Sequence, residues 1–174
     1  NMIIDCLSKI ILIFGIFTLV TILLFGIPKS MCEIYNLYRT RENILKFLLP
    51  AFYISNAIFL TPCLIKCSSE TETVILSLAI GCMFIFASAL HIFESKFNTD
   101  TPHNTLSWCY IILSISWILF ATPYWYIYVF CLSISILLAI ITRTLKKCYL
   151  YWFENATLIS VIISALLYYL NFIK

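Results

Sequence analysis

Of the 174 residues, 63% are hydrophobic and only 11% charged, and the mean hydropathy is +1.01. A soluble domain carries about 25% charged residues, and no water-soluble fold of this size has a core large enough to hide so much apolar side chain. Lipid is therefore the solvent for most of the chain, and the net charge of +3, spread over short segments, offers no basic block of the kind that binds nucleic acid.

A helix needs about 20 apolar residues to cross the hydrocarbon core. Backbone groups in lipid must bond within their own segment, which favours helices. Six runs meet this description: about 10–28, 47–66, 74–93, 106–122, 124–142 and 155–173. The expectation is an all-α, polytopic integral membrane protein, a single transmembrane domain over 1–174 with six spans and no soluble domain. Asn1 stands before Met2, where a native start would put Met first. The first run is too long for a signal-peptide core and lacks a small-x-small cleavage site, so it reads as a retained span.

The first loop, KSMCEIYNLYRTRENILKF, is the longest. Met31, Ile34, Tyr35 and Tyr38 fall at helical spacing, with Lys29, Glu33, Arg39 and Glu42 elsewhere on the wheel. Two readings stand: a short helix lying in the interface, or a solvated connector. In the second span Asn56 follows Ser55 and precedes Thr61. An Asn in a span bonds across to another helix or contacts a solute. In the third span Ser77 and Gly81 form a small-xxx-small pair, and Ser88 lies further along.

The stretch FASALHIFESKFNTDTPHN, residues 86–104, carries both histidines. His91 and Glu94 are one turn apart, a spacing that can hold a metal on one helix face. Asp100 and His103 follow, but Asn98 and Pro102 make this part a loop that fixes no third ligand. The plainer reading is a wet connector, so no metal or cofactor is expected. Spans four and five meet at Thr122-Pro123-Tyr124, where proline suits a turn. In the last span Ser160 and Ser164 are one turn apart, and Asn155-Ala156-Thr157 is an acceptor sequon at its start.

Orientation follows from Lys and Arg. Loops one, three and five carry Lys29, Arg39, Arg41, Lys46, Lys96, Arg143, Lys146 and Lys147, against Lys9, Lys66 and Lys174 on the other side. The asymmetry puts these loops in the cytosol and both termini on the non-cytosolic side, where the sequon at Asn155 is not used. The eight cysteines form no Cys-x-x-Cys pair. Cys6 and Cys67 both fall near the outer surface, and a disulfide between them is one pairing the pattern leaves open.

No Asp, Glu, Lys or Arg falls in the central part of any expected span. That argues against a proton-coupled pump and against a carrier of charged solutes. Two resemblances bear on function. Ser88 to His91 resembles the Ser…His element of the ceramidase and adiponectin-receptor hydrolases. The spacing here is one residue short, the fourth span has no Asp and the sixth no His, so no zinc site is completed. Residues 10–96 are similar in layout to a triple-helix unit of the PQ-loop and SWEET facilitators, with Pro28, the basic Arg39-Thr-Arg41 and Asn56 in the following span. This layout implies passage of a small neutral solute.

Three functions follow as expectations. The first is a non-catalytic membrane subunit or assembly partner that binds other membrane proteins or itself. The second is a facilitator for a small neutral solute, with Asn56, Ser77, Ser88, Ser160 and Ser164 lining a path or joining helices. The third is a metal-dependent hydrolase using His91, Glu94, Asp100 and His103. Absence of intramembrane charge favours the first.

Overall fold

The structure, a computed structural model, describes residues 2–31, 33–34, 37, 47–93 and 100–172. Among these it contains six α-helices and no strand. They are α1 (Met2–Phe25), α2 (Leu48–Lys66), α3 (Thr71–Phe93), α4 (Asp100–Ala121), α5 (Trp125–Ile141) and α6 (Leu145–Phe172). Four stretches are long and apolar enough to cross a membrane: Ile3–Phe25, Leu48–Lys66, Thr71–Leu90 and Leu145–Asn171. Thr105–Ala121 and Trp125–Ile141 are apolar but shorter.

Every apolar run forms a helix, yet three helices begin well before their run. α1 starts at Met2 rather than near 10, its polar first turns closed by the Lys9–Asp5 pair at 2.8 Å and the Ser8 hydroxyl bonded to Asp5 O. α4 starts at Asp100 rather than near 106. This corrects the loop expected around Pro102, because proline is tolerated in a first helical turn. α6 starts at Leu145 rather than 155, with a kink at Cys148 (φ −123, ψ 25).

The ends have local causes. Gly26, with φ 76, closes α1, its N–H donating to Ile22 O at 2.9 Å, and Pro28 follows. A left-handed glycine and then a proline is a common helix stop. After it, the Ser30 hydroxyl accepts the Glu33 N–H (3.2 Å) and Glu33 Oε2 accepts the Lys29 N–H (2.5 Å), a reciprocal cap that starts a helical turn. Met31, Glu33, Ile34 and Leu37 have helical backbone. Met31 and Ile34 are buried in the core rather than laid on the membrane surface. Tyr35 and Tyr38, on which the interfacial reading also rests, lie outside the described residues.

α1 packs on α2 through Phe17 and Phe52, whose stacked rings are 4.4 Å apart. α2 and α3 make the tightest contact: a Cβ on Gly81 would meet Thr61 Oγ1 at 2.5 Å. α3 packs on α4 through Phe84 and Tyr110 (5.1 Å). α6 is the central member, packed against α5 and α4 and reaching α1 and α2. In its apolar stretch 67% of residues are buried, against 22% in α1. α5 lies outside it, burying Cys131, Ser135 and Ala139 and exposing residues such as Phe130, Leu137 and Ile141.

A buried carboxylate cavity as candidate functional site

Glu154 sits on α6 with 5% of its surface exposed. Two donors hold it. The Ser107 hydroxyl of α4 donates to Oε1 at 2.5 Å, and the Met31 N–H donates to Oε2 at 2.7 Å. The Met31 donor arrives because the segment after Gly26 runs back along α6. Ile27 O accepts the Cys148 thiol (3.5 Å) and Lys29 O accepts the Tyr151 N–H (3.1 Å). Cys148, Tyr151 and Glu154 are three apart, on one face of a helix. Non-helical backbone in a membrane protein survives only where protein satisfies it, and here α6 does so group by group.

Beside the carboxylate lies a cavity of about 40 Å³, lined by Glu154, Ser107, Tyr110, Phe52, Tyr53 and Phe84 together with aliphatic and methionine side chains. The aromatic wall is continuous. From the Phe17–Phe52 stack it runs through Tyr53 (5.8 Å from Phe52) and Phe84 (6.1 Å from Tyr53) to Tyr110, crossing α1 to α4. The Tyr110 hydroxyl oxygen is buried without a hydrogen-bond partner, and so is Ser114 Oγ one turn further along. Ser107, Tyr110, Ser114 and Trp117 follow one another at i+3 or i+4, so α4 carries one polar and aromatic stripe. Its far end is tied down where Trp117 Nε1 donates to Ser68 Oγ (3.1 Å), itself 3.2 Å from Ser77 Oγ. On α6, Thr157, Ser160 and Ser164 are fully buried beyond Glu154.

Ion pairs among the described residues join Lys9 to Asp5 and Lys29 to Glu33, and neither involves Glu154. An unpaired carboxylate in an apolar interior costs several kcal/mol. The site therefore calls for a proton or a cationic guest.

The residues singled out from the sequence have other places. Asn56 is buried, but its Nδ2 donates to Phe52 O one turn back and its Oδ1 has no partner. Ser77 bonds to Thr73 O and Ser68, Ser88 reaches across to Pro50 O on α2 at 3.3 Å, and Ser160 bonds to Thr157 O. Ser164 Oγ is buried and unpartnered. None of the five lines the Glu154 cavity. His91, Asp100 and His103 lie on helical backbone, but their side chains, and Glu94 altogether, lie outside the described residues. Among the described residues no group of three His, Cys, Asp or Glu could hold a metal. Cys6 and Cys67 are both free thiols in this structure. Asn155 is buried within α6 with Nδ2 bonded to Tyr151 O at 2.7 Å.

Glu154 is the residue the sequence reading passed over, because it falls one position before the apolar run starting at 155. The periodicity of Cys148, Tyr151, Glu154 and Leu158 carries the buried face upstream and would have shown it. Comparison with family models, curated proteins and solved structures finds no match, so the likenesses to membrane hydrolases and to PQ-loop and SWEET facilitators gain no support there.

Proposed function

We propose that the chain is a six-span membrane protein that admits a small solute to a polar site centred on Glu154. One observation carries the reading: a buried carboxylate, oriented by two donors, faces a cavity between helices. An ionisable group inside a membrane bundle marks a solute or ion site more often than a packing contact. The stripe from Ser107 to Trp117, with Ser114 unpartnered, supplies polar steps leading away from it. The two shorter apolar helices, joined by the tight turn at Thr122-Pro123-Tyr124, count as spans in this reading.

The test is flux into proteoliposomes for glycerol, urea and methylammonium. Entry of at least one should exceed that into protein-free liposomes and fall about tenfold in Glu154→Gln, which keeps the shape but not the charge. No flux above the protein-free control, or equal flux in the variant, would remove the reading.

A second reading, an assembly partner within a larger membrane complex, draws on the outer helices. Ile11, Leu12, Leu19 and Leu23 of α1 and Leu137, Ile140 and Ile141 of α5 are exposed along their length. Protein covers such faces as readily as lipid does. Native mass spectrometry after gentle extraction decides: stable co-purifying proteins support it, and a lone monomer counts against it.

A further inference from the structure

We infer that the guest of the Glu154 cavity is a small ammonium cation, of which methylammonium is the simplest organic example; the inference rests on reading this cavity as a solute site. Charge is the first argument. Glu154 is buried, and no cationic side chain pairs with it among the described residues. Its two protein donors fix the carboxylate in place without neutralising it, so a guest bearing one positive charge and N–H donors supplies what is missing. The Tyr110 hydroxyl, which lines the cavity, offers one more acceptor.

The walls are the second argument. Phe52, Tyr53, Phe84 and Tyr110 line the cavity, and ring faces attract a desolvated cation. A neutral polyol would meet few hydrogen-bonding groups on such walls. A divalent metal would need six or more oxygen ligands for calcium, or a near-octahedral oxygen shell for magnesium, and no metal-binding group of three occurs among the described residues. Size is the third argument. A cavity of about 40 Å³ has room for roughly two or three water-sized groups. That favours methylammonium over a bulky quaternary ammonium such as choline.

The test is equilibrium binding of radiolabelled methylammonium to the full chain in lipid nanodiscs, with competitors. Saturable binding is expected, displaced by ethylammonium but not by choline or equimolar potassium. Glu154→Gln should weaken it about tenfold or more, the loss of one charge-assisted contact, with helix content and elution volume unchanged. Tyr110→Phe, which keeps the ring, should weaken it several-fold, and it serves if the Glu154 variant does not fold. Binding untouched by both substitutions, equal displacement by potassium, or no methylammonium binding overturns the inference. Glu154-dependent passage of urea or glycerol without methylammonium binding would overturn this inference alone. No binding and no flux of any solute would remove the solute reading too, leaving Glu154 a protonated tie between α4, α6 and the Met31 turn.

Discussion

Gly81 and Thr61 show how narrowly single residues are specified at the α2–α3 contact. A methyl at Gly81 would come within 2.5 Å of Thr61 Oγ1 and 3.0 Å of its Cγ2, so the Thr61 side chain or its helix must shift. Gly81→Ala is expected to lower stability by about 1–3 kcal/mol, as overpacking does. Thr61→Ala in the same chain should restore most of it, because the clash is with that side chain alone. Thermal unfolding of the two single variants and the double variant measures the coupling. Asn56 gives the contrast. Its amide nitrogen is satisfied within its own helix and its oxygen is orphaned. Asn56→Leu should change stability by less than about 1 kcal/mol, since an unsatisfied buried acceptor is removed with its partnerless cost, and should leave solute flux intact. A fall in flux would put Asn56 back on a path. Asn56 stood out because it lies inside an apolar run, and Glu154 did not because it falls one position before one; what separates them is where each side chain points, and a single sequence carries that only as periodicity.

At the scale of elements, the return segment from Ile27 to Met31 is held by α6 and not by its own regular structure. Its backbone meets Cys148, Tyr151 and Glu154 in turn. The Met31 and Tyr151 amides should therefore exchange slowly with deuterated water. Replacing Glu154 with Leu removes the acceptor for one of them only. Exchange at Met31 should then rise about tenfold or more while Tyr151 stays protected. Equal change at both would mean that the segment docks as a unit. Helix existence was plain in the sequence from runs of apolar residues, but three N-terminal boundaries were not. Hydropathy reports contact with lipid. The N-terminal stretches of α1, α4 and α6 are helical but too polar to belong to an apolar run, so Asp5, Asp100 and Glu154 looked like loop. The Gly26–Pro28 stop ends α1 at Phe25, before the expected end near 28, because local backbone chemistry rather than hydropathy sets it.

At the scale of the whole molecule, the Lys and Arg asymmetry predicts both termini on the non-cytosolic side. An acceptor sequon appended after Lys174 should then be glycosylated in microsomes, as should one placed before Asn1. The native Asn155 should stay unmodified, buried and bonded to Tyr151 O as it is. Modification at neither added site reverses the orientation. The all-helical bundle was legible from composition and run length. The polar interior was not, because it depends on which helix is central. That helix is α6, the least apolar of the four long stretches and the most buried.

The central position of α6 also bears on how the protein is made. α6 is synthesised after the five helices that surround or flank it. Until then the wall from Phe17 to Tyr110 has no carboxylate to face, and the Ile27–Met31 segment has no helix to lie along. A helix bearing Glu154, Asn155, Thr157, Ser160 and Ser164 gains little by entering lipid alone. It gains most by entering a bundle whose polar stripe on α4 already awaits it. On this order of synthesis the carboxylate meets its cavity, and the Ile27–Met31 segment its partner, only when α6 joins the other helices.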